Sequence, residues 1–231
     1  MVVRKMILVG SVALLFRCLF LFWGLAGWYL LDQNVLSKGY FIQGYGICAG
    51  YGYVTDPGGK IPEMVDQGRK VTPETAPQGD PTNLIPEMLH PPGMAILVAA
   101  FHRITGLPVD LFFEIFGMIL DTIAVCILYW MVATFLSDRV AFVASLIYAF
   151  YPPLAYGCTL DRSPEGIMAV FIVGSLACVL QSTLSKEWEV AFWWVGAGIL
   201  IALSAYLRPD YLLAPVAFGF GFWLYTRRLW R

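Results

Sequence analysis

Two long tracts of almost unbroken apolar sequence flank one polar insert, Asp32 to Gly93, and this alternation predicts the architecture. The first apolar run, Met6 to Leu31, has 26 residues, enough to cross a hydrocarbon core of about 30 Å at a rise of about 1.5 Å per residue. It is longer than the roughly 7–15 residues of a signal-peptide core and follows Arg4 and Lys5. It therefore reads as a first transmembrane helix entered from the cytoplasm. Beyond the insert, Met94 to Ile104 is apolar for only 11 residues, too short to span, and reads as a re-entrant or interfacial helix on the outer side. Pro91 and Pro92 suit its first turn, where a missing N–H costs nothing. Further spans follow at about 109–136, 140–157, 166–184, 190–207 and 211–226.

The pattern thus predicts an all-α polytopic membrane protein with about six transmembrane helices, the interfacial helix and one large outer loop. It forms a single membrane domain over 1–231, with the first span in 1–31, the outer loop in 32–107 and the remaining helices in 108–231. Ser137-Asp138-Arg139 and Ser185-Lys186-Glu187 turn inside, whereas Asp161 to Glu165 and Arg208-Pro209-Asp210 turn outside. Both termini lie in the cytoplasm, as Arg4, Lys5, Arg227, Arg228 and Arg231 require under the positive-inside rule. Within the insert, Ser37 to Tyr53 is Tyr- and Gly-rich and reads as a short amphipathic helix. Asp56 to Glu87 has no strong period and reads as irregular loop. The seven acidic and four basic residues of the whole insert fit the non-cytoplasmic face.

Composition agrees. The chain is 59% hydrophobic and 13% charged, where a soluble domain carries about a quarter charged residues. A net charge of -1 leaves no basic surface for nucleic acid. The five cysteines (18, 48, 126, 158 and 178) have no metal-ligand spacing and read as free thiols, although Cys48 and Cys158 both fall on the outer side, where a bridge is conceivable. Gly196-Ala197-Gly198, Gly219 and Gly221 suit close helix packing.

Charges inside the spans are the first chemical signal. Arg17 stands near the middle of the first run and either snorkels, faces a neighbouring helix, or lines a polar cavity. Glu114 and Asp121, seven residues apart, share one face of the second span. They read as a proton path or as a polar patch packed on Arg17 or another helix. At the outer face the topology gathers Asp32, Asp161, Glu165, Asp210, Arg162, Arg208 and His90. Such a mixture serves group transfer from an anionic lipid: a carboxylate deprotonates an acceptor hydroxyl and arginines hold the leaving phosphate. Individually these are also ordinary interfacial charges. His102-Arg103 reads as a grip on lipid phosphate or as an interfacial anchor.

The order of the motifs carries a resemblance. The long first span leads to Gly39-Tyr40 and Gly50-Tyr51-Gly52-Tyr53, then to His90-Pro91-Pro92-Gly93, Ala149-Phe150-Tyr151-Pro152-Pro153, Glu165 and Ala205-Tyr206-Leu207-Arg208-Pro209. This resembles the N-terminal half of the GT-C membrane glycosyltransferases, the bacterial relatives of protein mannosyltransferases and of the aminoarabinose transferase that modifies lipid A. The resemblance implies a polyprenyl-phosphate sugar donor, a lipid, glycan or protein acceptor, and inverting transfer at the outer face of a bacterial inner membrane. It implies Glu165 as an acidic site residue and Arg208 as a phosphate ligand, with Arg162, His90, Asp161 and Tyr40 completing the substrate-binding set. Relatives carry an acidic base just before the tyrosine matching Tyr40. Here Leu36, Ser37 and Lys38 occupy that place, so the base falls to Asp32 or Asp56. No cofactor is fixed, and a divalent cation at Glu165 stays open.

Relatives also continue through further spans. The chain is then expected to be a working enzyme, a truncated homologue, or one half whose partner polypeptide supplies the rest. The alternatives to an enzyme are a membrane scaffold that retains the fold and a small transporter using Arg17, Glu114 and Asp121.

Overall fold

The computed structural model describes residues 2–23, 43–44, 46–48, 52–55, 85–86, 91–107, 110–159, 165–208, 213 and 219. Its elements are α1 (Val2–Trp23), β1 (Val54–Thr55), β2 (Ile85–Pro86), α2 (Gly93–Thr105), α3 (Asp110–Phe135), α4 (Asp138–Ala149), α5 (Pro152–Thr159), α6 (Glu165–Ser182) and α7 (Glu187–Leu207). This is an all-helical membrane protein, as the apolar pattern predicts. Among the described residues, Val2–Phe22, Glu114–Phe135 and Glu187–Leu207 are long and apolar enough to cross a bilayer, and Gly93–Thr105 and Gly166–Ser182 are shorter apolar helices. The expected spans 109–136, 166–184 and 190–207 match α3, α6 and α7 closely, and the interfacial helix matches α2. Residues 24–31 and most of the expected span 211–226 lie outside the described residues.

Two expectations need correction. The span expected at 140–157 is not one helix but α4 and α5, separated at Phe150 and Tyr151. The cause is the pair Pro152-Pro153. In an uninterrupted helix their N–H groups would bond the carbonyls of Tyr148 and Ala149, and proline has none to give. The chain instead tightens, with Tyr151 N donating to Tyr148 O at 3.1 Å, and a new helix opens on the two prolines. The second correction concerns the insert. Ile85 and Pro86, inside the stretch read as irregular loop, pair antiparallel with Thr55 and Val54 just before it. A ladder of two residues is too short to leave an alternating pattern in sequence.

α3 is the hub: α1, α2, α4, α5 and α6 all pack on it, and α7 lies on α6. Small residues make the closest of these contacts. Val9 and Ala13 of α1 meet Val125 and Tyr129 of α3 and Ala141 and Ala149 of α4 in one buried cluster. Small side chains at such interfaces let helix backbones approach within dispersion range, the chief driving force in lipid. Gly196 follows this rule, since a Cβ there would sit 3.6 Å from Cys178 Sγ on α6; Gly198 does not, since a Cβ would meet nothing within 4 Å. The outward faces carry Leu19, Phe22, Ile147, Trp188 and Phe192, all exposed, as a lipid-facing surface requires.

The turn between α3 and α4 is set locally. Ser137 caps α4, its hydroxyl accepting from Val140 N at 3.3 Å. Asp138 beside it accepts from Lys5 of α1 and from the Tyr129 hydroxyl. Farther along, Arg17 of α1 reaches Ala149 of α4. The two contacts are twelve residues apart on α1 and eleven on α4, about 18 and 16 Å of helix. α1 and α4 therefore run parallel and in step, with the Lys5–Asp138 pair marking one end of the bundle. α6 and α7 form an antiparallel hairpin across residues 183–186. Glu187 and Glu189 in its first turn suit the positive helix end, and Glu189 accepts from Lys186 N at 3.4 Å.

Candidate functional site

The end of the bundle opposite Lys5 and Asp138 collects the motif residues that are described. Pro91, Pro92 and Gly93 of the exit open α2, and Pro92 O accepts from Ile96 N at 2.9 Å. At Gly93 the backbone lies directly on α7. A Cβ there would come within 2.6 Å of both Tyr206 Cδ1 and Tyr206 O, so only glycine permits this approach. Tyr206 belongs to Ala205-Tyr206-Leu207-Arg208-Pro209. Two motifs more than a hundred residues apart in sequence are thus one contact in space. Arg208 follows two residues later as the half-buried C-cap of α7, its N–H donating to Ser204 O at 2.8 Å. Because α6 and α7 form a hairpin, Glu165 at the start of α6 lies at the same end as Arg208 at the end of α7. Gly93, Tyr206, Arg208 and the backbone of Glu165 share this end. Asp32, Tyr40, Asp56, His90, Asp161 and Arg162 lie outside the described residues.

α2 carries part of the insert on its flank. Gln43 and Cys48 are buried, and Gly44 lies against Val98 of α2. Residues 43–44 and 46–48 are helical, in keeping with the short helix expected there. Arg103 Nη2 donates to Ile47 O and Cys48 O at 3.3 and 3.4 Å, so this arginine holds protein backbone. His102 Nδ1 donates to Leu107 O at 2.8 Å, and Gly106, with φ 68°, closes α2 by donating its N–H to His102 O at 2.9 Å. His102 and Arg103 therefore fasten the end of α2 to neighbouring backbone. Phe101 packs edge-on against Phe112 and Phe116 of α3 with centroids 5.5 Å apart, fixing α2 to the hub.

Cys48 is a free thiol, with Sγ donating to Ala99 O at 3.6 Å. Burial pushes its pKa up, and the Arg103 charge and hydrogen bond only partly offset that. Since the thiolate is the nucleophile, Cys48 is expected to react with a water-soluble maleimide about tenfold or more slowly than a cysteine placed in an exposed loop, and to accelerate as pH rises. Peptide mapping after timed labelling checks this. Rapid, pH-independent labelling would show that residues 46–48 leave α2.

The intramembrane charges form a second constellation, on α1, α3 and α4. Arg17 and Asp121 are both fully buried and form an ion pair through Nε and Nη2 of the arginine. Arg17 Nη1 donates to Ala13 O and Ala149 O, each at 3.1 Å, and the Tyr148 hydroxyl donates to Asp121 Oδ1 at 2.9 Å. Of the readings open for these charges, the packed polar patch is the observed one. Glu114 is buried on the same helix as Asp121. The sequence offered Arg17 as one of several partners for Asp121 and gave no sign of the bond to Ala149 in its apolar pattern. The signal was available, since Pro153 leaves the Ala149 carbonyl without its helical donor.

Among the described residues, no three His, Cys, Asp or Glu side chains converge as a cation site would need.

The fold is that of a polytopic, predominantly helical membrane protein, with its described motif residues gathered at one end of the bundle. The chain belongs to the dolichyl-phosphate-mannose-protein mannosyltransferase family, whose model matches residues 89–231, 143 of the 231. The match begins one residue before the His-Pro-Pro-Gly exit and takes in Asp121, Glu165, Tyr206 and Arg208. No curated protein and no solved structure matches the chain.

Proposed function

We propose that this protein transfers a sugar from a polyprenyl-phosphate donor to an acceptor hydroxyl at the non-cytoplasmic face of a bacterial inner membrane. The observation that supports this reading is the contact between Gly93 and Tyr206 within the family-matched region, two residues before Arg208. An arginine there can hold a lipid phosphate through charge-assisted, bidentate hydrogen bonds and stabilise it as the leaving group. Arg162 is its partner in this task, with Tyr40, His90 and Asp161 shaping the substrate site. Attack on the anomeric carbon needs an acceptor oxygen stripped of its proton, for which a carboxylate within hydrogen-bond reach is the base. Asp32 or Asp56 is that base and Glu165 orients the acceptor, so displacement from the face opposite the phosphate inverts the sugar. Lys5 lies at the other end of the bundle. This supports an orientation with the termini in the cytoplasm and the site outside.

Arg208→Ala removes one charged phosphate contact worth about 1.5–3 kcal/mol. It is expected to lower kcat/KM for transfer from a polyprenyl-phosphate sugar by about tenfold to a hundredfold. Glu165→Gln is expected to act mainly on the acceptor. Transfer in membranes carrying each variant, measured with a radiolabelled donor, decides the matter. Full transfer by both variants would refute these roles, and a folded wild-type chain without turnover would leave a scaffold as its function.

A further inference from the structure

Arg17 lies outside the family-matched region, yet every interhelical bond it makes enters that region. One bond answers a local need. Pro153 cannot donate to Ala149 O, and a bare carbonyl in a water-free setting is costly because nothing else satisfies it. Arg17 Nη1 supplies that donor at 3.1 Å while the rest of its fork binds Asp121. The guanidinium thus caps α4 at the break and ties the cap to the central helix α3. α5 leaves from this break, packs on α1, α3 and α6, and delivers the chain into residues 160–164 ahead of Glu165.

We propose that Arg17 is a positioning residue. By capping Ala149 and pairing Asp121 at once, it fixes the angle between α4 and α5, the helix that leads toward Glu165 in the chain. This role rests on the proposed transferase reading only for its consequence in catalysis; the geometric part stands apart. A planar fork is essential to it. Lysine keeps the charge opposite Asp121 but cannot hold a carboxylate and a carbonyl in fixed directions.

The test is amide hydrogen exchange on the full chain in detergent micelles, comparing wild type, Arg17→Lys and the neutral pair Arg17→Gln/Asp121→Asn. The second variant folds without a stranded charge if the first does not fold. In both, exchange over 150–165 is expected to rise about tenfold or more, while α1, α3 and the body of α4 stay protected. Adding Pro153→Ala returns an N–H to the break and is expected to slow that exchange again. In transfer assays Arg17→Lys is expected to lower kcat about tenfold with KM for the donor nearly unchanged. Unchanged exchange at 150–165, or equal acceleration throughout the bundle, overturns the positioning role; so does failure of Pro153→Ala to slow it. If the wild type shows no transfer, the transferase reading fails while the exchange result still decides this one.

Discussion

Replacing Arg17 by alanine is expected to lower the unfolding free energy by about 3–5 kcal/mol, the cost of removing one member of a buried ion pair. Asp121 is fully buried and would keep only the Tyr148 hydroxyl as a partner. The Ala149 carbonyl would lose its side-chain donor as well, and Pro153 offers none. In a soluble protein, water could enter such a site; within a membrane-spanning bundle it has far less access. The double variant Arg17→Ala/Asp121→Ala is expected to recover a large part of the loss, since no charge is then stranded, leaving mainly the void and the uncapped carbonyl. Denaturation midpoints in detergent for the two single variants and the double variant form the cycle that checks this. Additive losses would mean that the pair contributes nothing as a pair.

Gly93→Leu is the second large effect expected. The obstacle is backbone as well as side chain. A Cβ would sit 2.6 Å from Tyr206 O and from its Cδ1, with Cε1 at 2.9 Å. A flexible neighbour could swing aside, but a helix carbonyl cannot, so α2 and α7 must separate. Overpacking of this kind costs about 1–3 kcal/mol and sometimes more. Tyr206→Ala removes the ring but not the carbonyl, and is expected to rescue Gly93→Leu only in part. Because the contact lies two residues before Arg208, even Gly93→Ala is expected, on the proposed function, to weaken donor use more than it weakens the fold. Thermal unfolding and donor titration of the same variants separate the two. A Gly93→Leu protein as stable as wild type would show that the two motifs do not touch.

Much of this was legible in advance because lipid imposes simple rules on sequence. A span must be apolar for about 20 residues, so α3, α6 and α7 could be placed within a few positions from composition alone. The short apolar helix α2 was legible from the length of its run and its prolines. Pro152-Pro153 was equally visible, yet the span was drawn through it. Apolarity continues across the break, and a hydrophobic pattern does not register two missing hydrogen-bond donors. The pairing of Val54–Thr55 with Ile85–Pro86 was invisible for a different reason: two residues carry no period.

Long-range partnership was beyond the sequence. The seven-residue spacing of Glu114 and Asp121 put both on one face of α3 but could not choose among a path, a cavity and a pair. Packing chose, because α1 and α4 run parallel and in step and bring Arg17 level with both Asp121 and Ala149. Likewise, Gly93 and Tyr206 each belonged to a recognisable motif, and only tertiary structure made them one contact. The sequence by itself determined the helices, their membrane character and the family, since these follow from local composition and the order of motifs. Tertiary structure alone decided which buried charge meets which carbonyl and which motif lies on which, since such pairings depend on helix register and approach distance, which no local pattern encodes.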